Sequence, residues 1–394
     1  MTAPPEGAEA EEAVALLAAL VAAPSVNPPG DTTAPAAVAE AFLAGAGLPC
    51  ERVAADPLKP NLLSRLANGA GPHLVLNAHL DTVPPGDLAA WSVPPFALTE
   101  RAGRLHGLGT GNMKGAAAAM LLALRRLDRA RGAWSGTVTL TLVADECVFG
   151  PAGAAHLLDA RPDALGDWLI CGEGPGGMNL AVAEKGLMWV RLAASGRVGQ
   201  GMLTDRGTSA PARLARALVE IDGWNGVRVA PPDPTLDHGG NAEGMRLSAN
   251  IGRIEGGDGF SQAVHAASAL VDFRLPPGMS RADLAARLDA LPGVRWEEAK
   301  GWEPNGSDTG SPPARAVSRA AEAVRGTAPL AVARLPASDA SRWRARGVPA
   351  VCYGPQPELA SGVDDYVARR DVLDCVAIYE RAARDLLAPP RAAG

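Results

Sequence analysis

In the first part of the chain, segments with a helical spacing of apolar residues alternate with short runs that are almost wholly apolar. The helical spacing predicts helices over Glu11–Val21, Ala34–Gly45 and Gly115–Leu127. The apolar runs predict strands over His73–Ala78, Gly136–Val143 and Trp168–Cys171. Short runs of this kind are typical of parallel strands that are buried on both faces. The alternation therefore predicts an α/β sandwich with a largely parallel sheet.

From about Lys185 onward the order of the predicted elements changes. Strand, helix, strand, strand, helix and strand follow one another over Leu187–Ser195, Ala210–Ile221, Met245–Ile254, Ala267–Leu275, Arg281–Leu291 and Val294–Lys300. This β-α-β-β-α-β order is that of a ferredoxin-like α+β unit. After it the first pattern returns, with helices over Ala314–Arg325 and Val372–Leu387 and a strand over Pro349–Tyr353. We therefore predict an α/β domain in two parts, 1–184 and 303–394, with an inserted domain at 185–302.

Composition narrows the class of protein further. The chain has 394 residues, of which 47% are hydrophobic and 20% are charged, as expected of a folded protein with two domains. Its net charge of −6 gives no reason to expect nucleic acid or an anionic membrane as a partner. The most apolar run, Val14–Ala23, is shorter than the roughly 20 residues of a membrane span. Five scattered cysteines without a CxxC pair do not indicate a disulfide framework, so we expect a cytoplasmic protein.

Three short motifs carry the candidate chemistry. They are His79 with Asp81 after the first predicted strand, the glycine-rich segment Gly107–Gly115, and Asp145-Glu146-Cys147 after the second predicted strand. In this order the motifs resemble the M20 family of dinuclear zinc amidohydrolases, which includes peptidases, acylamino-acid hydrolases and deacylases. The resemblance implies a catalytic α/β domain with an inserted lid domain that usually dimerises, in agreement with the predicted layout.

The residues at the family's metal-binding positions differ from the family pattern. M20 enzymes hold two zinc ions with a histidine, a bridging aspartate, a glutamate, a further acidic residue and a histidine near the C-terminus. The resemblance places these positions at His79, Asn112, Cys147, Glu173 and Ser361. A neutral carboxamide does not bridge two cations as a carboxylate does, and no histidine follows His265. We therefore predict that the site holds no metal cofactor.

An alternative interpretation keeps one metal ion. His79, Glu173 and Cys147 would still offer imidazole, carboxylate and thiolate donors to a single zinc ion. The opposing interpretation is that Cys147 only fills space as a small buried side chain. His79 and Asp81 would then form a structural hydrogen-bonded pair. The sequence leaves both interpretations open.

Other polar residues of the family pattern are retained or replaced. The resemblance implies that Glu146 is the general base and that Arg274 binds a substrate carboxylate; the alternatives are a solvated glutamate and a surface ion pair. Gln200 stands where the family has a histidine that polarises the scissile carbonyl. The candidate catalytic residues are His79, Asp81, Lys114 and Glu146, and the candidate substrate-binding residues are Asn112, Gln200, Arg274 and Ser361.

These observations lead to three hypotheses about function. The first is an M20-fold enzyme repurposed for metal-independent, base-driven elimination or ring closure on an acylated or carrier-tethered amino-acid derivative in a biosynthetic pathway. The second is an amidohydrolase of N-acyl amino acids or small peptides with one zinc ion. The third is a non-catalytic binding or scaffolding subunit. In each case we expect the lid to contact a second copy of the chain or another protein.

Overall fold

The computed structural model describes residues 2–257, 259–357 and 362–388. These residues form two compact units. The first comprises the described residues of Met1–Val182, Ser307–Val332 and Ser338–Gly394, and the second comprises those of Ala183–Gly306 together with Ala333–Ala337. The domain limits predicted from the sequence, 184/185 and 302/303, stay a prediction.

Within the described ranges the chain forms nine α-helices. They are α1 Gly7–Val21, α2 Thr33–Gly45, α3 Gly115–Arg129, α4 Ala154–Ala160, α5 Ala210–Asp222, α6 Arg281–Asp289, α7 Pro312–Arg325, α8 Ala340–Arg344 and α9 Arg369–Leu386. The longer helices lie where the apolar spacing predicts them, to within about one turn. Helices α4 and α8 were not predicted, because they are too short to show a periodic pattern. In this part of the chain no helix combines the length and the apolar character that crossing a membrane requires.

The strands of the described residues belong to four sheets. They are β1 Glu51–Val53, β2 Asn61–Asn68, β3 His73–His79, β4 Thr99–Arg101, β5 Arg104–His106, β6 Gly136–Val143, β7 Trp168–Cys171, β8 Leu180–Glu184, β9 Gly186–Ser195, β10 Gly199–Gln200, β11 Ser248–Glu255, β12 Gln262–Ala263, β13 Ala266–Leu275, β14 Val294–Trp302, β15 Asn305–Gly306, β16 Ala331–Arg334, β17 Ala350–Cys352 and β18 Tyr366–Ala368.

The large sheet of the first unit contains the strand order β1-β2-β6-β3-β7-β17-β8. Its central strands β6, β3, β7 and β17 run parallel to one another. In contrast, β1, β2 and β8 pair with their neighbours in antiparallel fashion. The predicted α/β sandwich is confirmed, and its sheet is parallel only in the centre.

Helix α3 connects the core of this unit to the candidate site. It contacts β3 and β6 on one side and α1 and α9 on the other. Because the helix is enclosed, every residue from Gly115 to Arg125 is buried. The position of its first turn is thereby fixed, and with it the position of the preceding segment, Thr110–Lys114.

The second unit contains an antiparallel sheet in the order β11-β13-β9-β14. In chain order its main elements are β9, α5, β11, β13, α6 and β14, so the predicted ferredoxin-like order is confirmed. Alternate strand residues such as Val190, Leu192 and Phe273 form its core with Leu214 and Leu284 of the helices. Strands β10 and β12 form a separate two-stranded sheet.

The parallel centre of the first sheet determines where polar residues meet. Strand β3 pairs in parallel with both β6 and β7, so the carboxyl ends of these three strands lie side by side at one edge of the sheet. His79 ends β3, and Asp81, Glu146 and Glu173 follow the three strand ends within a few residues. All four side chains are buried.

Candidate active site

His79 is the centre of the candidate site. Its Nδ1 donates a hydrogen bond to the carbonyl oxygen of Asp81 at 2.9 Å. This bond orients the ring so that Nε2, on its other side, lies 2.9 Å from Asn112 Oδ1. The same nitrogen lies 3.5 Å from an oxygen of Glu146 and 3.8 Å from an oxygen of Glu173. The nitrogen that a metal ion would use therefore faces three side-chain oxygens.

The charges in this buried group depend on one another. Burial, followed by the Glu173 carboxylate, raises the pKa of Glu146 well above its usual value. For His79, burial lowers the pKa, but Glu146, Asp81 and Glu173 outweigh burial and raise the pKa well above its usual value. Carboxylates that are close together and removed from water favour the arrival of positive charge. The group therefore attracts a proton or a metal cation.

Asp81 holds the ends of β3 and β6 together. Its Oδ1 lies 3.4 Å from His79 Nδ1 and accepts a hydrogen bond from the backbone N–H of Glu146 at 3.2 Å. Its Oδ2 accepts bonds from the backbone N–H of Cys147 at 3.0 Å and from Asn27 Nδ2 at 2.9 Å. Burial acts to raise the pKa of Asp81, but the hydrogen bond and the charge of His79 lower it to about 2. Through these contacts Asp81 orients His79 and holds the backbone of Glu146 and Cys147 in place.

Cys147 lies beside His79, towards Asp81. The sulfur of Cys147 and ligand atoms of His79 and Asp81 all lie within 4.8 Å of one another. Ligand atoms of His79, Glu146 and Glu173 form a second group of the same size. Burial, followed by the charge of Asp81, raises the pKa of the Cys147 thiol well above its usual value. The structure thus brings the predicted candidates Glu173 and Cys147 to His79, each in a different group.

Asn112 reaches the site from the segment that precedes α3. This segment lies close to the end of β3, because a Cβ on Gly109 would lie 2.4 Å from Thr82 Cγ2. Gly109 also has a φ of 79°, which favours glycine. Its backbone N–H donates to Asp365 Oδ2 at 2.8 Å, so a residue from the C-terminal part of the chain holds the segment in place.

Lys114 lies at the start of α3. Its Nζ donates a hydrogen bond to the carbonyl oxygen of Ala23 at 2.9 Å. The side chain is 1% exposed. Burial lowers the pKa of Lys114 to about 7, although Asp81 and Cys147 act in the opposite direction. Lys114 therefore ties the start of α3 to the segment after α1; its catalytic role stays a prediction.

Of the remaining predicted residues, Arg274 and Gln200 lie in the second unit. Arg274 forms an ion pair with Asp272 of the same strand, with Nε 3.0 Å from Oδ1. Gln200 is exposed on β10 and pairs with Gln262 of β12. Ser361 lies outside the described residues. The substrate-binding roles of Arg274, Gln200 and Ser361 stay predictions.

Several buried or half-buried polar residues near the site were not predicted from the sequence. Asn27 and Lys59 contact Asp81 and Asp145, and these partners are 54 to 118 residues away along the chain. Asp339 is also buried, and burial raises its pKa to about 7. No local motif indicates contacts between residues so far apart in the sequence.

The donors around His79 Nε2 suit one metal ion. Ligand atoms around a tetrahedral zinc ion lie roughly 3.3–3.6 Å apart, given metal–ligand distances of about 2.0–2.2 Å. The separations from His79 Nε2 of 2.9 Å to Asn112 Oδ1 and 3.8 Å to an oxygen of Glu173 lie on either side of this range. Imidazole and carboxylate are also ligands that zinc accepts. The residues present therefore fit one divalent ion.

The chain combines an α/β sheet that carries a buried His/Glu group at its strand ends with a ferredoxin-like unit inserted in the sequence, which is the layout expected of an M20-type protein. Residues 75–385 match the sequence pattern of Peptidase family M20/M25/M40, and the chain belongs to this family. The resemblance inferred from the motifs is therefore confirmed. Relatives in this family are enzymes, among them desuccinylases and peptidases.

Individual relatives support the same assignment. The chain is 30% identical over 387 residues to a succinyl-diaminopimelate desuccinylase of Stenotrophomonas maltophilia. This alignment covers 93% of this chain and 97% of that protein. A tripeptidase from Staphylococcus aureus has a TM-score of 0.73 at 16% identity and covers 95% of this chain and 99% of its own. A Bacillus subtilis dinuclear metal-binding peptidase of the M20 family has a TM-score of 0.70 at 13% identity, with coverages of 97% and 99%. At these identities the structural likeness shows the fold.

The prediction that the site holds no cofactor is wrong. The structure gathers two groups of metal-ligating side chains around His79, and the proteins that share its fold include a dinuclear metal-binding peptidase. The error lay in treating the change at the bridging position, Asn112, as the loss of the whole centre. Three donors are enough to hold a single zinc ion. The metal-independent chemistry that we derived from this prediction therefore loses its support.

Proposed function

We propose that the protein is a metal-dependent amidohydrolase that cleaves N-acyl amino acids or small peptides. The observation that carries this proposal is the buried group in which His79 Nε2 faces Glu146 and Glu173 at 3.5 Å and 3.8 Å. Membership of the M20 family supports hydrolysis of an amide bond. The desuccinylase relatives make N-succinyl amino acids the first substrates to test.

Three donors would hold one divalent ion in this site. They are His79 Nε2, the Glu173 carboxylate and the Asn112 carboxamide oxygen, whereas Cys147 belongs to the other group around His79. When bound, the ion supplies Lewis acidity that polarises the scissile carbonyl and stabilises the negative charge that develops on its oxygen. Three protein ligands are the usual number in catalytic zinc sites, which keep one position open.

Glu146 is the residue that we assign as general base. Its carboxylate lies beside the donors, and the side chain is 6% exposed. Burial, followed by the Glu173 carboxylate, raises the pKa of Glu146, which makes its carboxylate a stronger proton acceptor. Oε2 can then accept a proton from the attacking water and return it to the leaving amine. Asp81 keeps Glu146 in place through the hydrogen bond to its backbone N–H.

The proposal is tested with protein that has been stripped with a chelator and reloaded with zinc, cobalt or manganese. We expect amine release from N-succinyl or N-acetyl amino acids or from dipeptides. Glu146→Gln should lower kcat by about 10²–10⁴-fold while metal content stays the same, because the substitution removes the base. His79→Ala should lose the metal, as measured by elemental mass spectrometry.

Glu100→Gln is the matched control, because Glu100 is an exposed glutamate outside the group around His79. This variant should change neither metal content nor amine release. The proposal is wrong if the reloaded protein hydrolyses none of these amides. It is also wrong if Glu146→Gln hydrolyses them at the rate of the unaltered chain.

We also propose that the second unit contacts a second copy of the chain. Strand β11 lies at the edge of its sheet, and Ile254 on this strand is 63% exposed. A groove of about 370 Å³ beside it is lined by apolar residues that include Leu218 and Val219 of α5. If two copies of β11 pair in antiparallel fashion about Ile254, each Arg253 faces the other copy's Glu255. Among the described residues no comparable contact supports a carrier-tethered substrate, which stays a prediction.

A further inference from the structure

The loop between α1 and α2 docks on the end of β3 and places Asn27 beneath the site. Ser25 Oγ donates to the carbonyl oxygen of Leu80, and the backbone N–H of Asn27 donates to the carbonyl oxygen of Thr82, each at 2.7 Å. Gly30 has a φ of 80°, and a Cβ on it would lie 2.7 Å from the Asn27 side chain. Glycine is therefore required for the loop to close over a buried carboxamide.

The Asn27 carboxamide joins two carboxylates. Its Nδ2 lies 2.9 Å from Asp81 Oδ2 and 3.2 Å from Asp145 Oδ1. An amide nitrogen carries two hydrogens, so it can donate to both oxygens at once. An ionised carboxylate only accepts hydrogen bonds, which fixes the orientation of the carboxamide. Asn27 therefore links the residue that orients His79 to the residue that begins the turn after β6.

Lys59 supplies positive charge to the second of these carboxylates. Its Nζ lies 2.6 Å from Asp145 Oδ1, and the Asp145 side chain is 2% exposed. The other oxygen, Asp145 Oδ2, accepts a hydrogen bond from the backbone N–H of Ala152 at 3.2 Å. Asp145 has a φ of 61°, in the left-handed region that residues other than glycine seldom adopt. Its side-chain contacts thus hold the turn that presents Glu146.

We propose that Asn27 and Lys59 are positioning residues of the metal centre. Asn27 acts through Asp81, which contacts the ring of His79 and both backbone N–H groups after Asp145. Lys59 acts through Asp145, which precedes the general base directly. Removing residues that hold metal ligands in place typically weakens metal binding by about 10–100-fold. This inference rests on the proposed metal-dependent function.

The zinc affinity of the full chain tests this proposal, measured by competition with a chromophoric chelator. Asn27→Ala removes the carboxamide bridge and Lys59→Met removes the positive charge, so each should weaken zinc binding by about 10–100-fold. Lys59→Arg keeps the charge and should restore most of the affinity. Asn241→Ala is the matched control, because Asn241 is a buried carboxamide of the second unit that bonds to the backbone of Leu236 and Ala333.

The possible outcomes separate the two proposals. A wild-type chain that binds no zinc overturns the proposed function and this inference with it. If the wild type binds zinc and both Asn27→Ala and Lys59→Met bind it as tightly, only the inference is wrong. Equal weakening by Asn241→Ala also overturns the inference, because the loss would then reflect overall stability. If Asn27→Ala does not fold, the contrast between Lys59→Met and Lys59→Arg decides by the same criterion.

Discussion

Asp365 is a buried carboxylate that should make the stability of the first unit depend on pH. Its Oδ2 accepts the hydrogen bond from the backbone N–H of Gly109, and the residue is 2% exposed. Burial raises the pKa of Asp365 to about 7, although hydrogen bonds from the backbone N–H groups of Gly109 and Gly111 act against burial. In the unfolded chain the carboxyl group has its ordinary pKa of 3.8.

The folded state therefore binds the Asp365 proton more tightly than the unfolded state does. Between pH 3.8 and about pH 7 the free energy of unfolding falls as the pH rises, and the contribution is lost above the folded pKa. The difference of about three pKa units corresponds to at most about 4 kcal/mol. From pH 5 to pH 8 the fall amounts to about 2.5 kcal/mol. Asp365→Asn removes the ionisation and keeps an oxygen for the Gly109 N–H group.

The free energy of unfolding of Asp365→Asn should therefore rise relative to wild type by about 2.5 kcal/mol between pH 5 and pH 8. Urea unfolding measures this difference, followed by the fluorescence of Trp134 and Trp343, which are buried in the first unit. Asp364→Asn is the control, because the bond from the Ser92 N–H group lowers the pKa of Asp364 and keeps it ionised at both pH values. If the difference in free energy of unfolding between Asp365→Asn and wild type is the same at pH 5 and pH 8, the raised pKa of Asp365 is refuted.

Two further predictions concern the close approach of Gly109 to Thr82 and the exposed edge strand β11. Gly109→Ala should lower the free energy of unfolding by about 3 kcal/mol, since a left-handed φ disfavours alanine and the new Cβ would meet Thr82. Gly103 has a similar φ but open space around it, so Gly103→Ala should lower the free energy of unfolding by about 1 kcal/mol in the same urea assay. If the two variants lose the same free energy of unfolding, the close approach of Gly109 to Thr82 has no effect and the prediction is wrong. Ile254→Asp should convert a dimer into a monomer in analytical ultracentrifugation, whereas Leu88→Asp, at a similarly exposed position, should not. A wild-type chain that sediments as a monomer would contradict the proposed contact through β11.

Local patterns predict strands whose burial alternates or whose residues are almost all apolar, and they miss a strand that begins with a buried polar residue. Strand β13 alternates between buried and more exposed positions, and its predicted and observed limits differ by one residue. Strand β2 was missed because it begins with Asn61, which suggests a loop. In the structure Asn61 is buried, and its side chain bonds to the backbone of Val53, Ala144 and Ala152. These partners come from other parts of the chain, so the sequence around β2 does not reveal them.

The site likewise contains residues that the sequence predicts and residues that only distant contacts bring in. The family resemblance implied that His79, Glu146 and Glu173 share one site, and the parallel pairing of β3 with β6 and β7 brings them together. Asn27 and Lys59 could not be predicted, because their contacts depend on how two distant loops dock on the strand ends. The prediction about the metal failed for another reason. It counted the family positions that had changed, whereas metal binding depends on the donors that remain close together.

The charges and the donor atoms around His79 together provide a separate physical argument for a single ion. Four carboxylates lie close together at the strand ends, and two ammonium groups lie among or beside them. They are the carboxylates of Glu146, Glu173, Asp81 and Asp145 and the ammonium groups of Lys59 and Lys114. The carboxylates outnumber the ammonium groups, so their negative charge favours a bound cation. A carboxamide does not bridge two cations as a carboxylate does. The neutral carboxamide of Asn112, where the family has a carboxylate, is therefore consistent with a centre that holds one ion.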